Sequence, residues 1–372
     1  MLRILFSVML IGSLLWGTGC RTTARRAAPI VVPPVAAPSP LQVTPVVPVP
    51  PVPHPAPGTN QTVALPGPRL APLVAVPVYY PLAQWVCVTN WVRTNGLGRT
   101  VALTHNGIRA VQIVSPMGNL LLAAGSRVVR HEGVEVALGC APQWHQGYLH
   151  VHPVDASRTL RPLLQPPAEI LHTNRLLVLD PGHGGSNPGT RSCLNSRLEK
   201  EFTLDWAMRA RPLLEANGWQ VVLTRTNDSD LSLTGRVAVA DFQQADLFVS
   251  LHFNAVAQPE PSGVETYCLT PAGLASTITR KYEDNASLML PGNRFDPQNL
   301  HYAAKLHRSL VRQTGAVDRG IKRARFMDVL VTQQRPALLL EGGYLSNPSE
   351  ARRIGDPAYR QKLAEALVRA LP

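Results

Sequence analysis

The chain has 372 residues, of which 45% are hydrophobic and 16% charged. That length leaves room for two domains plus linkers, and the apolar content supports a sizeable core, which excludes wholesale disorder. Lys and Arg number 36 against 24 Asp and Glu, a net charge of +12 that suits nucleic acid, anionic lipid or an acidic wall polymer, and five cysteines are too few for a disulfide scaffold.

At the N-terminus Arg3 precedes an uncharged apolar run, Ile4 to Trp16, followed by Gly17, Thr18, Gly19 and Cys20. The run is short for a bilayer span and has the layout of a secretory signal. The residues ending at Cys20 resemble the lipobox of bacterial lipoproteins, although Gly17 stands where Leu is usual. The resemblance implies a signal peptide over 1–20 and membrane attachment through a lipid on Cys20. By resemblance to lipoprotein sorting, Arg21 rather than Asp after that cysteine implies the outer membrane, in an organism that has one, and hence the periplasm. The alternative is an ordinary secreted protein. Export in either form removes nucleic acid as a partner.

Residues 21–68 are expected to be a Pro-rich linker. Residues 29–58 hold twelve prolines, and no Asp, Glu, Lys or Arg occurs between Ala27 and Pro68. Proline fixes φ and lacks an N–H, so the stretch favours extended polyproline II, and thirty such residues reach on the order of 90 Å. A stiff spacer of this kind would hold a domain away from a membrane.

Residues 69–168 are expected to form a small β-rich α+β domain. Short apolar runs alternate with Gly, Asn and Pro at Val74–Tyr80, Thr100–Leu103, Arg109–Val114, Asn119–Ala124, Ser126–Val129, Val134–Leu138 and Gly147–Val151. Asn106-Gly107 and Glu132-Gly133 read as turns, and Pro81–Trp91 as one helix. The segment weakly resembles the small N-terminal domain of copper amine oxidases, which implies a binding or positioning module and not copper. His150 and His152 fall at strand period two. They read as ordinary sheet residues, since zinc sites want three or four ligands and His145 has no motif spacing.

From 174 to 372 strands and helices alternate. Strands are expected at Leu176–Asp180, Trp219–Thr224, Asp246–His252, Gly263–Leu269 and Pro336–Leu340. Helices are expected at Glu199–Ala216, Leu233–Gln243, Asn299–Gln313 and Ala358–Ala370. The pattern predicts an α/β domain with a mainly parallel twisted sheet and helices on both faces. In open α/β sheets, sites form beyond the carboxyl ends of strands. Three strands end in a metal-compatible or acid/base group, at Asp180–His183, His252 and Glu341, and Glu199 opens a helix. Two His and one Glu suit a zinc hydrolase with one position open to water, and a second Glu suits its general base. Glu341 stands out because it follows the buried run Ala337–Leu340.

The motifs Val178-Leu179-Asp180-Pro181-Gly182-His183-Gly184-Gly185, Glu199-Lys200, Ser250-Leu251-His252-Phe253-Asn254-Ala255 and Glu341-Gly342-Gly343-Tyr344-Leu345-Ser346-Asn347-Pro348 carry a resemblance. Together with Leu223-Thr224-Arg225, Leu233 with Arg236, Gly263–Tyr267 and Asp318–Lys322, they resemble the zinc-dependent N-acetylmuramoyl-L-alanine amidases of the Amidase 3 family. The resemblance implies His183, Glu199 and His252 as zinc ligands and Glu341 as the catalytic carboxylate. Glu201 is a rival ligand, but Lys200 and Leu204 follow Glu199 in the family spacing. The implied reaction is hydrolysis of the amide between N-acetylmuramic acid and L-alanine in peptidoglycan. Asn187-Pro188-Gly189-Thr190, Ala240-Asp241 and Gly342 depart from the usual Asp-Pro-Gly-Ala, Ala-Asn and Thr. A silent or gated peptidoglycan-binding lipoprotein and a zinc peptidase acting within the stem peptide are the alternatives. The long segment 270–298 reads as a substrate-groove wall or a surface excursion, with a lid moved by an activator protein, as in some relatives, as the alternative. Cys87, Cys140, Cys193 and Cys268 allow three pairings or free thiols.

Overall fold

The computed structural model describes residues 80–168, 175–278 and 284–372. The apolar N-terminal run, Cys20, the proline-rich stretch and all but Tyr80 of the strand expected at Val74–Tyr80 lie outside the described residues. No described helix is long and apolar enough to cross a membrane.

The helix expected over Pro81–Trp91 divides in three. A 3-10 turn at Leu82–Gln84 precedes β1 (Val86–Cys87) and α1 (Val88–Thr94). Val86 and Cys87 are extended because they pair with Val151 and His150. A meander follows: β2 (Arg99–His105), β3 (Ile108–Ser115), β4 (Gly118–Ala123), β5 (Val128–His131) and β6 (Val134–Ala137), each antiparallel to the next. Its expected turns have the paired left-handed residues of type I′ hairpins: φ is 49° and 76° at Asn106-Gly107, and 53° and 80° at Glu132-Gly133. A third such turn, Gln146-Gly147, joins β7 (Gln143–His145) to β8 (Tyr148–Val151). β7 has no apolar run to announce it. Residues 153–164 then coil as α2 (Pro153–Asp155), a π turn (Ala156–Leu160) and α3 (Arg161–Leu164).

The remaining elements are β9 (Leu176–Pro181), α4 (Glu199–Ala216), β10 (Gln220–Leu223), α5 (Leu233–Phe242), β11 (Leu247–Asn254), β12 (Val264–Leu269), α6 (Asp296–Thr314), β13 (Asp318–Ala324), α7 (Asp328–Val331), β14 (Ala337–Tyr344), α8 (Pro348–Gly355) and α9 (Pro357–Ala370). Helix α4 forms because Phe202, Trp206, Ala210 and Leu214 repeat every four residues on one buried face. Each large apolar side chain so buried contributes roughly 2 kcal/mol. Glu201 folds back onto the Leu198 N–H to cap the first turn, and Gly218, at φ 86°, ends the helix.

The large sheet has the order β10-β9-β11-β14-β12-β13-β6-β5-β4-β3-β2. It is mixed, which corrects the expectation of a mainly parallel sheet. β10, β9, β11 and β14 are parallel, β12 is antiparallel to β14, and the meander is antiparallel throughout. The cause lies in the connections. Parallel neighbours need a crossover long enough for a helix, as α4 supplies between β9 and β10. Residues 255–263 contain no helix, so the chain leaving β11 turns back at the same sheet edge and β12 runs the other way. β6 meets β13 at Val136 and Ile321, so strands from 69–168 and from 174–372 share this sheet. Their cores are continuous too: Val111, Leu120 and Val136 cluster with Leu300, Ala303 and Ile321. One face of the remaining sheet packs on α4, α6 and α9, the other on α5 and α7.

Candidate active site

β9, β11 and β14 are parallel neighbours, so their carboxyl ends meet at one sheet edge. His183 lies two residues past β9, His252 lies near the end of β11, and Glu199 is the first residue of α4. The ligand atoms of these three all lie within 4.8 Å of one another. The Glu199 carboxylate bridges the rings: Oε2 is 3.1 Å from His183 Nε2 and Oε1 is 3.0 Å from His252 Nδ1. Glu199 also accepts from the Thr190 N–H at 2.9 Å and the Phe253 N–H at 3.0 Å. Burial opposes its ionisation, but the bonds to His183 and His252 outweigh that and hold its carboxyl well below the usual range. Burial likewise opposes a charge on His183, and Glu199 overcomes it and raises the imidazole. Glu201 does not join the cluster. Its carboxylate is taken by the Leu198 N–H and by Arg197 on the surface.

The loop that presents His183 is strained and clamped. His183 has φ 62°, in the left-handed region that costs a non-glycine residue about 1–3 kcal/mol. Two buried arginines hold it there. Arg236 donates to the His183 carbonyl at 2.8 Å and to Asp180 at 2.6 Å, while Arg225 donates to the carbonyls of Pro181 and Gly182, each at 2.9 Å. Asp180 itself is fully buried and also accepts from Thr224 and Ser250. Asn187 Oδ1 accepts from His183 Nδ1 at 2.9 Å and from the Gly189 N–H at 3.2 Å. The first bond fixes the ring so that Nδ1 faces Asn187 and Nε2 faces Glu199. Sequence motifs marked Arg225, Arg236 and Asn187 as positions, but not these jobs. A carbonyl-binding arginine leaves no periodic trace.

Glycines open the space around the cluster. A Cβ on Gly182 would stand 2.2 Å from His252 Cε1, and one on Gly189 would stand 2.6 Å from Glu199 Oε2 and 2.7 Å from His183 Cδ2. Two imidazoles and a carboxylate match the N/O donors zinc prefers and leave a coordination position free. The residues therefore fit a metal ion of that kind.

Glu341 was expected to end a strand, but β14 continues past it to Tyr344. It pairs with His252 on one side and with Glu265 on the other, so all three project from one face at one level. The residue is half-buried, yet its Oε2 is buried and has no hydrogen-bond partner. Burial, then the charges of Glu199 and Glu265, push its carboxyl well above the usual range. Past Glu341 the ladder slips by one residue, with Gly342 and Gly343 both opposite Phe253. A Cβ on Gly342 would meet Phe253 at 2.8 Å and Leu363 and Trp206 at 3.0 Å. The indole of Trp206 thus occupies room that a threonine at 342 would need.

A groove of about 350 Å³ runs along His183 and His252, with Leu231, Leu233, Phe326 and Met327 among its walls. The described part of 270–298 contributes nothing to that lining. It is hydrogen-bonded instead to Arg323 and Arg325, because β12 runs antiparallel to β14 and delivers its carboxyl end to the far sheet edge.

His150 and His152 do not share a strand face. His150 is in β8, while His152 is buried and caps α2. With Cys140 and Asp155, His152 forms the second described group close enough to hold a metal. Asp155 already accepts from the Gly139 and Cys140 N–H groups and from Thr159, and burial pushes the Cys140 thiol up to about 11. This cluster staples a turn to a helix. All four cysteines among the described residues are free.

Residues 177–372 match the family model described as N-acetylmuramoyl-L-alanine amidase. Two similar proteins are N-acetylmuramoyl-L-alanine amidase LytC of Bacillus subtilis (strain 168) and AmiC of Escherichia coli O6:H1. LytC is 34% identical over 51% of this chain and 34% of its own length. AmiC is 32% identical over 52% of this chain and 51% of its own. The chain thus spans about a third and about half of these two relatives. The solved catalytic domain of CwlV, an N-acetylmuramoyl-L-alanine amidase from Bacillus (Paenibacillus) polymyxa var. colistinus, is 29% identical with a TM-score of 0.44, covering 53% of this chain and 96% of that one. The family match covers more than half of the chain, His183, Glu199, His252 and Glu341 included, and the chain belongs to the N-acetylmuramoyl-L-alanine amidase family, Amidase 3.

Proposed function

We propose that this protein is an exported zinc amidase that cuts the bond between N-acetylmuramic acid and L-alanine in peptidoglycan, with His183, Glu199 and His252 holding the metal and Glu341 as general base. The observation that carries this reading is the buried, unpartnered Oε2 of Glu341 beside three convergent metal-type donors. Family membership supplies the bond to be cut. Zinc bound by the three residues would supply Lewis acidity to the reaction. The chain's own groups do the rest. The groove orients the glycopeptide, and Asn187 holds the His183 ring in one orientation. Glu341 takes a proton from the attacking water and passes it to the nitrogen of L-alanine as the C–N bond breaks. Burial and the charges of Glu199 and Glu265 raise the proton affinity of the Glu341 carboxylate, which suits a base that carries the proton between the two atoms.

The apolar run and Cys20 support export with a lipid anchor in the outer membrane, and the proline-rich stretch supports a spacer between anchor and enzyme. Residues 69–168 would act as a positioning module for the polymer.

The test is mass spectrometry of muropeptides after digestion of purified peptidoglycan by the full chain, with and without chelator. Stem peptides beginning at L-alanine, lost with chelator and restored by zinc, are expected. Intact muropeptides with zinc bound would favour a silent or gated binding protein, and cuts within the stem would favour a peptidase. Glu341→Gln is expected to keep one zinc per chain and lose cleavage by about 10²-fold or more. Near wild-type turnover would refute the base assignment.

A further inference from the structure

Beside Glu341, away from His252, the sheet carries a polar group whose position is set by a second slip in register. Val264 pairs with Asp318 and Thr266 with Ile321, so Arg319 and Gly320 together stand opposite Glu265. The extra residue is a bulge, which re-aims a side chain. Gly320 takes φ 82°, and a Cβ there would lie 3.0 Å from the Glu135 carbonyl oxygen. Arg319 is thereby turned toward Glu265, and its Nε donates to Glu265 Oε1 at 2.8 Å. Glu265 is buried and accepts also from Tyr267 at 2.6 Å, Tyr344 at 2.8 Å and Asn254 at 3.2 Å. The guanidinium lies over the Tyr344 ring at 5.1 Å, and the Arg319 side chain is 34% exposed.

Glu265 is fully satisfied by these four donors. It holds Arg319 through Nε, and the Tyr344 hydroxyl takes a further contact, so the guanidinium is fixed and presents its partly exposed outer edge at the sheet edge that carries Glu341. Such a guanidinium edge matches a carboxylate in two-point geometry. Resting on the amidase reading above, we propose that Arg319 is a specificity residue that binds a free carboxylate of the substrate's peptide, next to the amide to be cut. Glu265, Tyr344 and Tyr267 are its positioning residues.

The test separates this from the amidase reading by measuring binding without turnover. The full-length, zinc-loaded Glu341→Gln protein is titrated calorimetrically with N-acetylmuramoyl-L-alanyl-D-glutamate and with the same compound amidated at both carboxyls. The acid is expected to bind about tenfold or more tighter, the scale of a charge-assisted pair. That gap closes when Arg319→Gln is added and persists in part with Arg319→Lys. A merely structural Arg319 would weaken both ligands alike. Equal affinities in the parent, no binding of either ligand, or a gap that survives Arg319→Gln would overturn the proposal. Cleavage of the acid by the wild-type protein is scored separately. Its absence counts against the amidase reading and leaves the binding comparison to decide on Arg319.

Discussion

Asn187 is a position outside the three donor residues where a single atom bears on metal affinity. Its Oδ1 fixes the His183 ring through Nδ1 and ties down the Gly189 N–H. Removing it with Asn187→Leu frees a ring whose backbone is already strained at φ 62°. Loss of such an outer partner typically costs about 10–100-fold in metal affinity, or about 1.4–2.7 kcal/mol. The opposite change is equally informative. Asn187→Asp keeps both bonds and makes the one to the imidazole charge-assisted, roughly twice as strong as a neutral bond worth about 1 kcal/mol. Zinc affinity should therefore rise about fivefold. Competition against a chromophoric chelator at neutral pH measures both. The expected order of dissociation constants is Asp below Asn below Leu. If Asn187→Leu binds zinc as tightly as the parent while still folded, Asn187 does not orient the ligand and the outer shell has been misread.

Two further outcomes follow from the same structure. Asp296, at the first position of α6, is pushed up to about 6 by burial, against the opposing bond from Asn293 and the charges of Arg323, Arg158 and Arg325. A carboxyl raised on folding binds its proton more tightly in the folded state. Its own contribution to stability is therefore largest below about pH 4 and falls as pH rises to about 6, by about 3 kcal/mol at most. Asp296→Asn should remove that slope and be the more stable protein at pH 7, and denaturant titrations in which the two differ equally at pH 4 and pH 7 would contradict it. Gly182→Ala puts a methyl 2.2 Å from His252 Cε1. It should displace that ring and lower zinc content measured by elemental analysis, at a folding cost of about 1–3 kcal/mol; full zinc occupancy would show that the loop yields instead.

Much of the site was legible in the sequence, because its parts sit where elements change. His183 follows a buried run and a glycine loop, Glu199 opens an amphipathic stretch, and His252 closes another buried run. Those transitions have periodic or punctuating signals. Direction of strands does not. The strand Val264–Leu269 looks the same whether its neighbour is parallel or antiparallel, since all six residues are buried. Only the absence of a helix in 255–263 carries that information, and it is what makes the sheet mixed.

Register slips were the other hidden feature, and they shape the chemistry. The apolar run ends at Leu340, so Glu341 looks terminal, yet the strand continues through Gly342 and Gly343 to bring Tyr344 onto Glu265. On the neighbouring ladder the extra residue at Arg319-Gly320 turns a charged side chain to the same carboxylate. An unbroken alternation would have carried either aromatic or arginine to the opposite face. The glycines at 320 and 343, at φ 82° and 137°, mark the two slips. A glycine beside a charged or aromatic residue at a sheet edge is thus the local signal that side-chain facing has changed. In this chain both instances flank the carboxylate proposed to move the proton.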